Sequence, residues 1–209
     1  SASYSPNGLR IVTASGDGTA KVWDANTGRE VLTFVGHYDV VKSAIYSPDG
    51  RRVATNGRIA KIWQAETGKE ILTLTTRANS LVYSSDGQRI LTAGRVAKIW
   101  STEVGSELLM LEGHEAGVSS VSYSPDGLQI LTASWDGTAK VWGVKTGNQL
   151  LTLRGNYDGL ISAIYSPDGQ YIATAGTRDG IIKIWRTKTG KEVLILKSDD
   201  KERLSSMAY

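Results

Sequence analysis

Apolar and polar positions along this chain alternate in runs of only four to six residues, and the runs stop at Gly, Pro, Asn and Asp. A period of two over such short stretches predicts strands with one face buried, not helices. Four kinds of run recur. Examples are Ser43 to Tyr46, Gln129 to Ala133, Ala139 to Trp142 and Gln149 to Leu153, all rich in Val, Ile, Leu, Tyr and Thr. Between the first and second kinds stands a Pro-Asp-Gly turn, in which Pro presets φ and Gly accepts a positive φ. No helix-period segment of useful length interrupts the pattern.

The runs belong to a repeat. SPNG at Ser5 to Gly8 returns as SPDG at Ser47 to Gly50, SSDG at Ser84 to Gly87, and SPDG at Ser124 to Gly127 and Ser166 to Gly169. Successive glycines of this turn are 42, 37, 40 and 42 residues apart. A tryptophan follows in each unit, at Trp23, Trp63, Trp100, Trp142 and Trp185, with a lysine two residues before it and a glycine five residues after. Three markers in one order, five times over, define five units of four strands each, an arrangement suited to sheets that bury their faces against their neighbours.

These residues resemble the WD-repeat β-propeller family over nearly the whole chain. Among the five repeat tryptophans the Trp-Asp pair stands literally only at Trp23-Asp24, and a Gly-His pair stands at Gly36-His37 and Gly113-His114. The resemblance implies an all-β propeller of four-stranded antiparallel blades, covering approximately 1–42, 43–79, 80–119, 120–161 and 162–202. Residues 203–209 would be the first strand of a further blade. Ser1 to Tyr4 and Ser206 to Tyr209 both match a first strand, so they would compete for one place in a closed five-blade ring. The expectation is therefore part of a larger ring, completed by further blades or by self-association. The units around Trp63 and Trp100 have lost two residues from their central turn, where Asn56-Gly57 suits a two-residue hairpin turn.

Composition changes this picture little. With 40% hydrophobic and 22% charged residues the chain is expected to fold. The absence of cysteine excludes disulfides, thiolate metal sites and thiol catalysis. No apolar run is long enough to span a bilayer as a helix. No leader sequence follows Ser1, and a cytoplasmic location is the expectation. The net charge of +3 comes without a concentrated basic stripe. It argues against nucleic acid as the partner, although Lys21, Lys61, Lys98, Lys140 and Lys183, with Arg77, Arg95 and Arg178, keep polyanion binding as the alternative.

Ser134, His114 and Asp136 match a serine-hydrolase triad by residue type. The family resemblance implies another role, a buried hydrogen-bond network of His114, Ser134, Asp136 and Trp142 that holds the blade together. Incomplete sets are expected at Ser15, Asp17 and Trp23, at Asp179 and Trp185, and at His37. The two histidines are far apart in sequence, without a carboxylate cluster at ligand spacing, so no metal or cofactor is expected. TGKE at Thr67 to Glu70 and Thr189 to Glu192 lacks the flanking residues of a phosphate-binding loop and reads as a hairpin turn.

The turns between strands one and two and between three and four are nearly invariant across the units. Those between strands two and three read SGDG, NG, AG, SWDG and GTRDG, and the inter-unit connections read GHYDV, TTRANS, GHEAG and GNYDG. By resemblance the divergent set shares one face, the top, and divergent loops on a rigid scaffold are where recognition resides. Trp135, Tyr38, Glu115, Tyr157 and Arg178 are the candidate partner-binding residues there, with Trp135 as anchor. The reading is a non-catalytic scaffold or sensor module that binds a protein partner, similar to repeat arrays appended to signalling proteins.

Overall fold

In a computed structural model of the chain, residues 1–155, 158–177 and 180–197 are described. They form five sheets of four strands, each built from strands consecutive in sequence. The first sheet comprises β1 (Ala2–Tyr4), β2 (Arg10–Ala14), β3 (Ala20–Asp24) and β4 (Glu30–Phe34). The second comprises β5 (Ser43–Tyr46), β6 (Arg52–Asn56), β7 (Ala60–Gln64) and β8 (Glu70–Leu74). The third comprises β9 (Ser80–Tyr83), β10 (Arg89–Ala93), β11 (Ala97–Ser101) and β12 (Glu107–Leu111). The fourth comprises β13 (Val118–Tyr123), β14 (Gln129–Ser134), β15 (Thr138–Gly143) and β16 (Gln149–Arg154). The fifth comprises β17 (Leu160–Tyr165), β18 (Tyr171–Gly176), β19 (Ile181–Arg186) and β20 (Lys191–Lys197). Among the described residues there is no helix, and hence none long and apolar enough to cross a membrane. The chain is all-β, as the repeat predicts. The fourth and fifth sheets begin at Val118 and Leu160, two residues before the expected boundaries.

The chain divides into two compact units. One holds residues 1–92 and 99–108, the other 93–98 and the described residues from 109 onward. Within the first, the outward side of one sheet packs on the inward side of the next. Val12, Ala20, Val22 and Phe34 meet Ala44, Val53 and Trp63, and Ala54, Ile62 and Leu74 meet Leu81, Ile90 and Trp100. Within the second, Leu131, Val141 and Leu153 meet Ala163, Ile172 and Trp185. Alternation along each strand is what gives every sheet two apolar sides, and sheet-on-sheet burial of these side chains is the main stabilising term.

The invariant turn repeats atom by atom. Ser47 is buried, its hydroxyl donates to Asp49 at 2.6 Å, and the Arg52 amide donates back to that hydroxyl at 2.9 Å. Gly50 closes the turn at φ 71°, where a Cβ would be strained. The same set stands at Ser84 and Asp86, Ser124 and Asp126, and Ser166 and Asp168. In each, hydroxyl donation by the serine holds the aspartate below the usual carboxylate range.

One local expectation is corrected. Asn56 is not the first residue of a two-residue turn but the last rung of β6, paired with Ala60. Its side-chain Oδ1 accepts from the Ser43 amide and hydroxyl at 2.7 and 2.8 Å, which holds it in the ladder. Gly57, Arg58 and Ile59 make the connection instead. Residues 203–209, expected to be a further first strand, lie outside the described residues.

Candidate functional site: the loops around Trp135

The fourth sheet carries a continuous hydrogen-bonded chain. His114 precedes β13, Asp136 sits in the turn from β14 to β15, Thr132 lies on β14 and Trp142 on β15. The indole Nε1 of Trp142 donates to Thr132 Oγ1 at 2.9 Å, and Thr132 Oγ1 lies 2.7 Å from His114 Nε2. His114 Nδ1 lies 2.8 Å from Asp136 Oδ2. A carboxylate accepts only, so His114 carries its proton on Nδ1, and Nε2 accepts from the threonine hydroxyl. Burial lowers the His114 pKa against the pull of Asp136, which keeps the ring neutral. Burial raises that of Asp136, but the Thr138 hydroxyl and amide, His114 and the Glu115 amide outweigh it and bring it down to about 2.

Ser134 is not the hydroxyl of this chain. Its Oγ donates to the carbonyls of Ala116 and Gly117 at 3.2 and 3.1 Å and accepts from the Asp136 amide at 3.1 Å. It lies two residues beyond Thr132 on the same side of the strand, too far along to reach the indole. The bonds of His114 go to Thr132, Asp136 and the Thr138 hydroxyl. The nucleophile–base contact of a hydrolase triad is therefore not formed, and Ser134 is fully buried.

The indole-to-threonine bond recurs in every sheet, from Trp23 to Thr13, Trp63 to Thr55, Trp100 to Thr92 and Trp185 to Thr174, at 2.8–2.9 Å. His37 Nε2 joins Thr55 at 2.6 Å, with no aspartate at the turn beyond it. In the first sheet Asp17 is exposed and takes its bonds from the Thr19 amide and hydroxyl, while Ser15 Oγ accepts from the Asp17 amide at 3.3 Å. These two therefore cap their own turn, without a histidine. Asp179 lies outside the described residues.

The repeat lysines do not form a free basic surface. Lys21, Lys61 and Lys183 pair with Glu30, Glu70 and Glu192 at 2.7, 2.6 and 3.0 Å, each ammonium also lying over its neighbouring tryptophan ring. Lys140 is buried and bonds Gln149 Oε1 at 2.7 Å and Thr152 at 3.1 Å. Lys98 is engaged as well.

Trp135 is the exposed feature of this region. It stands in the turn between β14 and β15 with 52% of its surface accessible, and its amide donates to the Gly117 carbonyl at 3.1 Å. The indole lies on Gly117, where a Cβ would come within 2.9 Å of its Cζ3. A Cβ on Gly159, at φ 88°, would come within 2.9 Å of the Trp135 carbonyl oxygen. Two glycines thus seat one tryptophan. Asp136 links its turn to the connection holding Glu115, whose amide donates to Asp136 Oδ2 at 2.9 Å. That connection, with Arg95, lines a cavity of about 390 Å³ that includes Glu112, His114, Glu115 and Gly117.

Of the other expected partner-binding residues, Tyr38 is fully exposed in the first unit. Tyr157 and Arg178 lie outside the described residues. Gly117, Gly159 and the place of Arg95 escaped the sequence reading. One signal was present: GHEAG has Gly117 where GHYDV has Val40, beside the turn that carries a tryptophan. A larger cavity, about 880 Å³, lies between the invariant turns of the fourth and fifth sheets. Smaller versions recur beside Pro6 and Asp49 and beside Asp49 and Asp86, which marks it as a product of the repeat geometry.

Short stretches of the chain are similar to known proteins. Ribosome assembly protein 4 of Saccharomyces cerevisiae is 46% identical over 46 residues, 22% of this chain and 9% of that protein. The protein of the same name from Chaetomium thermophilum is 40% identical over 52 residues, 24% of this chain and 10% of that protein. Coronin-7 of Mus musculus is 42% identical over 45 residues, 22% of this chain and 5% of that protein. The chain thus spans a tenth or less of the length of these relatives. The WD40 family model, described as WD domain, G-beta repeat, matches residues 1–24, 28–64, 105–143 and 147–186, more than half of the chain. Each matched segment ends on the residue after a repeat tryptophan, the last residue of the third strand of a sheet. On its sequence and on its five four-stranded sheets alike, the chain belongs to the WD40 repeat family.

Proposed function

We propose that this chain is a non-catalytic scaffold module that holds a protein partner on the loops around Trp135. WD40 repeats generally mediate protein–protein interaction. The observation that carries the finer reading is the seating of Trp135. A half-exposed indole lies on Gly117, with Gly159 close against the Trp135 backbone, beside a cavity that offers Arg95 and Glu115. Tryptophan and arginine are the side chains most often dominant in binding energy, and an anchor already fixed in place loses little entropy on association. With Lys21, Lys61 and Lys183 paired to carboxylates and Lys140 bonded to Gln149 and Thr152, polyanion binding loses its main support.

The test is affinity capture by the intact chain, followed by titration of the captured protein against Trp135→Ala and Gly117→Val. Trp135→Ala is expected to weaken binding by about 2 kcal/mol or more, roughly 30-fold. Its own stability should change by less than about 1 kcal/mol, as for other exposed substitutions. Gly117→Val, which displaces the indole, should weaken binding in the same direction. Unchanged affinity in Trp135→Ala, or binding that collapses steeply with salt, would remove the reading.

A further inference from the structure

Where the invariant turns of neighbouring sheets meet, the repeat leaves a cleft, and one of these clefts differs from the others. It measures about 330 Å³ between the first and second sheets, about 580 Å³ between the second and third, and about 880 Å³ between the fourth and fifth. The rung at the start of the second strand explains the widening. In the first sheet it is Arg10 opposite Asp24, and the two side chains pair. In the second it is Arg52 opposite Gln64, and Arg52 Nη1 crosses to the third sheet to donate to the Thr102 carbonyl at 2.6 Å. Both guanidinium groups line and narrow their clefts. In the fourth sheet the same rung is Gln129 opposite Gly143, one side chain shorter and the other absent.

The chemistry of the wide cleft has changed as well as its size. Three residues after their tryptophans, Glu66 and Glu103 face the two narrower clefts. At that position the wide cleft has Lys188, with Arg186 two residues before it. Both are exposed, and neither has an ion-pair partner among the described residues. Arg186 is steadied by the Tyr171 ring, whose centroid lies 5.3 Å from its Cζ. Deeper in, the buried Tyr165 hydroxyl donates to Gln129 Oε1 at 3.3 Å, which leaves Gln129 Nε2 as a donor for a ligand. The two carboxylates of the lining, Asp126 and Asp168, are each engaged by a serine hydroxyl and a backbone amide, as in the other turns of this kind. Leu150, half exposed, and Leu151 supply an apolar wall.

We propose that this cleft is a second binding site, which takes an extended acidic segment of a protein partner. Arg186 and Lys188 grip one carboxylate of the segment at the rim, and a neighbouring apolar side chain lies against Leu150, Leu151 and Tyr165. The occupant is acidic because the unpaired groups of the lining are two cations and an amide donor, while both carboxylates are already engaged. A guanidinium held in place suits a carboxylate by its forked geometry. The occupant is a peptide because an apolar wall with a few placed polar groups matches apolar side chains, which a simple polyanion lacks. The cleft lies among the invariant turns, so the proposal stands independently of the loops around Trp135.

Fluorescence anisotropy tests this, with a fluorescein-labelled hexapeptide of alternating leucine and glutamate titrated against the purified 209-residue chain. Saturable binding is expected. The same peptide with glutamine in place of glutamate should bind more weakly by about tenfold or more, as for the loss of a charge-assisted bond. Arg186→Glu combined with Lys188→Glu should weaken the acidic peptide to the same degree, with circular dichroism and melting unchanged because both positions are exposed. Gln129→Arg, which restores the residue type of Arg10 and Arg52, should narrow the cleft and weaken binding in the same direction. Trp135→Ala should leave this affinity unchanged, which separates the cleft from the loop site. Absence of saturation, equal affinity for the glutamine peptide, or indifference to the charge-reversed variant overturns the proposal. So does equally tight binding of a labelled single-stranded hexanucleotide, which would make the cleft a general anion patch.

Discussion

Replacing Thr132 by Val isolates one hydroxyl in the fourth sheet with almost no change of shape. That hydroxyl accepts from the Trp142 indole at 2.9 Å and donates to His114 Nε2 at 2.7 Å, and both Thr132 and Trp142 are essentially inaccessible to water. Valine leaves two buried polar groups without partners. At about 1–2 kcal/mol for each unsatisfied group, the lower part of the usual range, the loss should be about 2–4 kcal/mol. Such a loss is a large fraction of the 5–15 kcal/mol typical of a folded domain. For a chain of this size it lowers the melting temperature by roughly 5–15 °C. Thr13→Val, beside the half-buried Trp23 and with no histidine, should cost about 1 kcal/mol, because water can replace the lost partner. Ser134→Ala should cost a similar amount, since its hydroxyl serves carbonyls and one turn amide. Urea midpoints and melting curves for the three variants give the ranking. A loss in Ser134→Ala that equals or exceeds that in Thr132→Val would refute the assignment of Thr132 as the centre of the network.

Acid should weaken the chain in two stages. The folded-state pKa values of His114 and His37 lie below the ordinary 6.5, so the unfolded chain takes up those protons first and stability falls as pH drops below about 6.5. Asp136, lowered from 3.8 to about 2, contributes stability that is complete above about pH 4 and is lost as pH falls through about 2. It is worth about 1–2 kcal/mol once the solvent near the turn is allowed for. Stability measured against pH should show both limbs, with the first reduced in His114→Gln; an unchanged first limb in that variant would assign it elsewhere. Gln149→Glu would give the buried Lys140 the carboxylate that Lys61 already has in Glu70, and urea unfolding should show a gain of about 0.5–1 kcal/mol. A loss of stability would mean that the neutral partner is the better one there.

The strands were legible because their residues alternate and their ends carry turn chemistry. Ser43–Tyr46 coincides with its predicted run, and Gln129–Ser134 and Gln149–Arg154 each extend theirs by one residue. The network hydroxyl was not legible from one repeat. Ile130, Thr132 and Ser134 lie on the same side of β14, so a period of two cannot tell Thr132 from Ser134. Only the ladder can, because Trp142 pairs with Ile130 and so has Thr132 as its diagonal neighbour. Comparison across repeats carried the missing signal, since Thr13, Thr55, Thr92, Thr132 and Thr174 recur in all five units while Ser134 has a serine counterpart only at Ser15. At the loops around Trp135 the tryptophan was visible as a departure from the repeat. Its seat was not, because the closeness of Gly117 and Gly159 depends on how connections from two different sheets converge on one turn.

Each sheet is made of four strands in sequence order, so every ladder in the chain joins segments separated by only one short turn. Such a topology keeps contact order within each sheet low, and closing a short loop costs little entropy before the pairing rewards it. A ribosome delivering this chain completes one sheet about every 40 residues. Within a compact unit the later sheet meets an apolar side already formed by the one before it, as Ala44, Val53 and Trp63 meet Val22 and Phe34. Assembly can then proceed by accretion in the direction of synthesis, with at most one growing face exposed at the chain's leading edge. The same locality confines damage: a substitution that unfolds one sheet breaks the ladders of its own four strands and the two faces beside it, and leaves the pairing of the more distant sheets intact.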